Sequence, residues 1–325
     1  MTIQKGPKDV GLKKPTLFSL NEFTSTFQLI VDTYGVPSYK EVNPAFFTIV
    51  SFPFFFGVMF GDIMHGAIIA VFSMYLCMAD KKPGTVAGAF APMRYILLLM
   101  GLNAFYCGLI YNDFTSMTTS IVAKTCYKVE EDAEKVAGND GFYYATQEKD
   151  CVYPFGIDPT WYRATQEVSF MNSLKMKASV VFGVVQMLIG TSMKGMNALY
   201  FGRYVEFIFD VIAQLVLLSC LFGFMDLAIF KKWTTDWAAV QQETGQYAPS
   251  IINTMIIMVI NGGVEPPPED GKPGFAPVFE NQTALMQNLL VIALITIPSM
   301  LLVNPICASR KHKKPSNVGE EIEMN

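Results

Sequence analysis

The chain has 325 residues, of which 51% are hydrophobic and 16% charged, where a soluble globular chain carries roughly 25% charged residues. That deficit, with a mean hydropathy of +0.32 and a pI near 5.3, excludes a disordered chain, a collagen and a disulfide-dense secreted scaffold, and argues against a nucleic-acid partner. The expectation is an all-α fold, a polytopic transmembrane helix bundle.

Residues 1–40 form a polar, amphipathic cytosolic segment. They lack the short basic stretch and apolar core of a cleavable signal peptide, so the first span is free to serve as signal anchor. Within them, residues 16–35 read as an amphipathic helix. Ser19 and Glu22 have capping-box spacing, and Phe23, Phe27, Ile30, Val31 and Tyr34 share one face. Such a helix lies on the membrane interface or packs against the bundle; a role in taking force from a soluble partner is the alternative.

A spanning helix needs roughly 20 mostly apolar residues. Gaps between charges define spans near 42–61, 63–79, 95–112, 178–193 and 285–305, and an apolar stretch interrupted by Glu206, Asp210 and Asp226 makes a sixth, near 204–230. A seventh run, 251–260, is too short to cross and reads as a short interfacial or re-entrant helix. The six-span transmembrane domain then covers 41–310, with long loops at 113–176 and 231–284, and 311–325 forms a disordered cytosolic tail. Pro53 and Pro298 fall inside spans and are expected to kink them. The runs do not alternate with a period of two, which argues against a β-barrel. No internal repeat is visible, so an inverted-repeat transporter gains no support.

Six spans put both termini on one side. Lys5, Lys8, Lys13, Lys14, Lys81, Lys82, Arg94, Lys194, Arg203, Arg310, Lys311, Lys313 and Lys314 all fall there, and the positive-inside rule makes that side cytosolic. Residues 113–167 fall opposite, with ten acids against five bases. Cys77, Cys107, Cys220 and Cys307 lie in or beside apolar spans. Cys126 and Cys151 share the exported loop and are a candidate disulfide in an oxidising lumen. Asn281 opens a formal glycosylation sequon close to the membrane.

Ionisable groups within spans are functional candidates because of their insertion cost. Asp62 and His65 lie in FGDIMHG between the first two spans, which this motif joins into a tight helical hairpin. They are candidates for a buried structural or assembly role or for a proton path. Glu206 and Asp210 share a face of the fifth span and either line a wet entry or pair with a neighbour; Asp226 lies farther along it. The four arginines, Arg94, Arg163, Arg203 and Arg310, all fall outside mid-span positions. No phosphate-binding GxxxxGK[ST] loop, metal-ligand spacing or cofactor motif occurs, so the chain is not an ATPase by itself and no catalytic residue, metal or cofactor is assigned.

The run FTSTFQLIVDTYGVPSYKEVNPAFFTIVSFPFFFGVMFGDIMHG resembles the start of the membrane half of the large subunit a of vacuolar-type proton ATPases. GLIYNDFTS (108–116), YPFGIDPTW (153–161), NSLKMKASVVFGVVQM (172–187) and YAPSIINTMI (247–256) continue the resemblance in order. It implies a membrane-embedded stator subunit of the V0 sector. Its partners are the proteolipid ring, other V0 subunits, membrane lipids and, through an N-terminal arm, the ATP-hydrolysing V1 head. It implies an endomembrane, multi-pass location of vacuolar, lysosomal or endosomal type. The family's essential arginine lies on two further helices beyond the sixth span. This sequence ends before them, so the expectation is a scaffold or a fragment. A stand-alone secondary transporter or channel, and a structural membrane protein, are the alternatives.

Overall fold

The computed structural model describes residues 16–79, 84–120, 122–129, 145–148, 151–162, 164–264 and 274–312. Outside the described residues lie the lysines at 5, 8, 13 and 14, Asp80 with Lys81 and Lys82, the acidic run 130–140, Arg163, residues 265–273 of the Pro/Gly-rich loop, and the tail from 313.

Among the described residues the chain is largely helical. In order come α1 (Glu22–Tyr34), α2 (Ala45–Met59), α3 (Ile63–Met78), α4 (Val86–Tyr111), α5 (Glu167–Tyr200), α6 (Tyr204–Thr234), α7 (Trp237–Thr244), α8 (Ile251–Ile260) and α9 (Gln282–His312). A small antiparallel pair, β1 (Tyr127–Val129) and β2 (Ala145–Gln147), sits in the loop after α4, with Lys128 opposite Thr146. Among the described residues, four helices are long and apolar enough to cross a membrane: α4, α5, α6 and the Gln282–Val303 part of α9. The six-span expectation therefore meets a length limit. α2 and α3 have 15 and 16 residues, or ~22–24 Å at 1.5 Å per residue. The break at Gly61–Asp62 ends one and starts the other.

The chain divides into two compact units, residues 1–179 and 180–325. In the first, α2 and α3 both pack on α4 and touch each other little, so the tight hairpin expected from FGDIMHG is not the contact that forms. Small residues explain this. A Cβ built on Gly66 falls 2.3 Å from Phe105 N, one on Gly101 falls 2.5 Å from Ala70 N, and one on Gly57 falls 2.6 Å from the Asn103 carbonyl. The helices thus approach at backbone contact, as expected where lipid removes the hydrophobic drive and close packing decides the partner. Val58, Cys107 and Tyr111 form the buried core beside Phe54, Ile110 and Ile157.

α1 packs on the bundle. It starts after Asn21, whose backbone N–H donates to Thr24 Oγ1 at 2.9 Å, so the expected Ser19 cap lies upstream of the observed start. Its buried side chains are Thr26, Phe27, Gln28 and Val31, while Tyr34 is 93% exposed. The polar members are engaged. Asn43 donates to Gln28 at 2.6 Å, and buried Arg94 reaches Glu22 at 2.5 Å. Phe23 meets Tyr95 edge-on.

In the second unit, α6 contains two π-helical segments, Phe207–Ile212 and Ser219–Gly223. It packs on α8 and α9, with Phe224, Met258 and Met286 in one buried cluster and Ala228, Ile229, Ile251 and Val278 in another. α8 spans ten residues, ~15 Å, too short to cross. Lys232 Nζ donates to the Pro249 carbonyl at 2.6 Å and fixes the approach to it.

Candidate functional site

Asp62 stands in extended backbone directly before α3. Its Oδ1 accepts from Met64 N at 2.8 Å and His65 N at 3.1 Å, which satisfies donors the helix start leaves open. Its Oδ2 lies 2.9 Å from His65 Nδ1 and accepts from Thr115 N at 3.2 Å. Ile63 N donates to the Asp113 carbonyl at 2.9 Å. The start of α3 is thus tied to the segment leaving α4. Burial pushes the Asp62 carboxyl up, but the hydrogen bonds from His65 and Met64 outweigh it and hold it below the usual carboxylate value. The His65 side chain is 53% exposed, and Asp62 caps the start of α3.

The segment after α4 folds back on the helix end. Asn112, in left-handed backbone, ends α4. Its amide donates to the Ile157 carbonyl at 3.1 Å, and its oxygen accepts from Thr119 N at 3.1 Å and Thr119 Oγ1 at 3.0 Å. Ile157 N donates to the Ile110 carbonyl at 3.0 Å. Cys126 and Cys151 are bonded through sulfur with Cα atoms 5.6 Å apart, a spacing ordinary for a disulfide. Asp158 anchors this cap. It accepts from Cys126 N at 2.9 Å, Thr160 N at 2.9 Å and Thr125 Oγ1 at 2.7 Å. Burial raises its carboxyl, and these donors outweigh it and hold it below its ordinary value. Trp161 stacks on Phe170 at 3.9 Å. A cavity of about 180 Å³ opens here, lined by Tyr111, Asp113, Trp161, Glu167, Asn172 and Lys175, with the Lys175 ammonium 4.6 Å from the Tyr111 ring centre.

Glu206 and Asp210 do not join in one site. Each meets its own cation. Arg203 lies 3.0 Å from Glu206, and Lys194 of α5 lies 2.6 Å from Asp210, which also accepts from Gln214 at 2.9 Å. The Lys194–Asp210 pair ties α5 to α6 around their short connection, while Arg203–Glu206 closes the first turn of α6. Asn281 is exposed, in left-handed backbone one residue before α9.

The sequence reading passed over Asp158 and Asn112. The dipeptide Asp158–Pro159 is a helix-start signal, and Asp158 indeed precedes a single 3₁₀ turn, Pro159–Trp161. Its grip on Cys126, 32 residues away, left no local trace. Among the described residues, no group of three His, Cys, Asp or Glu side chains is placed to hold a metal ion. The polar groups named here cap, pin and pair helices.

Comparison with known proteins extends this picture. The family model described as the V-type ATPase 116 kDa subunit family matches residues 3–324. The chain is 38% identical over 304 residues to V-type proton ATPase subunit a3 of Arabidopsis thaliana, covering 92% of this chain and 34% of that one. It is 37% identical over 306 residues to the vacuolar proton translocating ATPase 100 kDa subunit of Dictyostelium discoideum, covering 92% and 35%. It is 36% identical over 316 residues to the human V-type proton ATPase 116 kDa subunit a 3, covering 92% and 36%. The chain spans about a third of the length of these relatives.

Proposed function

The chain belongs to the V-type ATPase 116 kDa subunit family, and from that premise we propose that it forms part of the membrane-embedded stator of a rotary, ATP-driven proton pump in an endomembrane. The observation that carries this reading is the family match across 3–324 together with four helices suited to a membrane. In this role the chain hydrolyses nothing. It holds helices in register while other subunits supply ATP hydrolysis and the rotating ring.

Six spans remain our reading, supported by how α2 and α3 pack. α3 runs along α4: Asp62 and Ile63 meet residues 113–115 beyond one end of α4, and Phe72 meets Phe90 near its other end. α2 follows the same course. Tyr111 Oη donates to the Val58 carbonyl, and Asn43, just before α2, reaches α1, which Arg94 pins. If α4 crosses the bilayer, helices that share its length cross with it despite their 15 and 16 residues. The disulfide-bonded cap then faces the lumen, and α1 lies on the cytosolic side with both termini of the membrane domain. In this arrangement Asp62 and His65 are assembly residues that fix α3 to the lumenal cap, and the Lys194–Asp210 and Arg203–Glu206 pairs hold the cytosolic turn. Asn281 lies too near the membrane for efficient glycosylation.

The test is association. Gentle solubilisation and affinity capture of the tagged chain should retain proteolipid and ATPase-head subunits in fixed ratio. A chain that is folded and membrane-inserted yet never retains either would overturn the assignment. Substrate flux by the purified chain alone in liposomes would favour a stand-alone transporter.

A further inference from the structure

Among the described residues of the second unit, Asp226 is an acid that its surroundings leave unserved. Asp226 lies on α6, seven residues before Trp233, and is 9% exposed. Its Oδ1 is fully enclosed and has no hydrogen-bond partner, and its side chain makes no ion pair with any described residue. On the same helix, Phe224, Ala228 and Ile229 are buried at 3%, 1% and 2% exposure and join the apolar clusters formed with α8 and α9.

Few charged groups lie on the elements around it. α8 and the Gln282–Val303 stretch of α9 contain no acidic or basic residue. The segment before α9 offers Glu280, which is exposed. On α6, Cys220 is a buried thiol, Lys231 is exposed, and Lys232 is engaged by the Pro249 carbonyl. α5 packs here through Val180 and Val181, one turn after Lys177 on the same helix, and its Lys194 is held by Asp210. A carboxylate with one oxygen enclosed in apolar surroundings and no partner is disfavoured in its ionised form, and taking a proton relieves that cost. The backbone adds a second observation. The π-helical segment Ser219–Gly223 ends three residues before Asp226, and π segments within α-helices recur at functional sites. The other two acids within α6 both meet cations: Glu206 lies beside Arg203, and Asp210, inside the first π segment, has a lysine and a glutamine. The contrast is therefore within one helix: two acids are neutralised by side chains, and the third has none.

We propose that Asp226 is a reversible proton-binding site, holding its proton while α6 is packed on α8 and α9 and exchanging it with water at the end of α6 that carries Lys231, Lys232 and Trp233. The proton comes from water and returns to it, and no other reactant is needed. The site depends only on the packing of this unit, so it stands or falls separately from the pump assignment.

Infrared difference spectroscopy tests it on the full chain in liposomes, wild type against the near-isosteric Asp226→Asn. At neutral pH the variant should lose a carboxylic-acid C=O band. In the wild type, that band should convert to carboxylate on alkaline titration and return on reacidification. Loss of a carboxylate band instead, or an acid band that never converts, overturns the proposal. A measurement on the wild type alone guards against misfolding of the variant. Dicyclohexylcarbodiimide, which labels protonated carboxyls in apolar surroundings, should give a mapped adduct at Asp226 at least several-fold above that at Asp210. Equal or weaker labelling at Asp226 sinks the idea.

Discussion

At the scale of single residues, carboxylates in the first unit act chiefly as acceptors for backbone N–H groups, and Asp158 shows what this is worth. Cys126 is 3% exposed, so removing the Asp158 carboxyl strands its N–H away from water. A buried donor left unsatisfied costs ~1–3 kcal/mol. Asp158→Ala should therefore lower the unfolding midpoint of the disulfide-bonded cap, read by tryptophan emission of Trp161 or by faster reduction of Cys126–Cys151. Asp158→Asn, which keeps one acceptor oxygen, should lose less. The pH dependence has a definite sign. The folded carboxyl lies below its ordinary value, so its contribution is complete above the unfolded carboxylate value of ~3.9 and fades as pH falls through the lower folded value. Mild acidification leaves the cap intact. Wild type and Asp158→Asn should differ at neutral pH and converge in strong acid; curves that stay parallel would refute the assignment of that contribution to the carboxylate.

At the scale of elements, helix identity was largely legible in the sequence, and helix pairing was not. Apolar runs poor in charge marked α2 to α6, α8 and α9, because a membrane helix must be mostly apolar along its length. The partners of each helix were hidden because apolar side chains point to lipid and protein alike, so periodicity carries no face. The information lay in Gly57, Gly66 and Gly101, which only contact geometry identifies as interface residues. The same blindness hid the buried Thr26 and Gln28 of α1, since a search for apolar periodicity passes over polar side chains that are satisfied inside. Two substitutions separate interface glycines from incidental ones. Gly66→Ala forces a methyl against the Phe105 backbone, which cannot step aside, and overpacking of this kind costs typically ~1–3 kcal/mol. Gly183→Ala, on α5 with nothing within 4 Å of the added atom, should be neutral or stabilising by up to ~1 kcal/mol through helix propensity. Thermal unfolding of the detergent-solubilised chain should rank Gly66→Ala below wild type and Gly183→Ala at or above it. The reverse order would mean that α3 and α4 do not meet at this contact.

At the scale of the whole molecule, the open quantity is the number of crossings, and the first unit confines it to a sharp choice. Parity gives no help, because α2 and α3 return the chain to its starting side whether both cross or neither does. The discriminating point is the segment between them, where Asp62 and Ile63 hydrogen-bond to residues 113–115 past the end of α4. If α4 spans the bilayer, this contact carries the start of α3 to the far surface, and Met64, 41% exposed there, faces the compartment that holds Cys126 and Cys151. If the two helices instead dip in and return, Met64 stays on the side of Thr85, at the start of α4. In a background where Cys77, Cys107, Cys220 and Cys307 are replaced by alanine, Met64→Cys and Thr85→Cys can be probed with a membrane-impermeant maleimide on sealed vesicles of either orientation. Six crossings require Met64→Cys to label only from the lumenal face and Thr85→Cys only from the cytosolic face. Labelling of both from one face reduces the count to four, because the other candidate spans are unaffected. It would also break the link between the Asp62 cap and the loop beyond α4, since one contact cannot join opposite surfaces of a membrane.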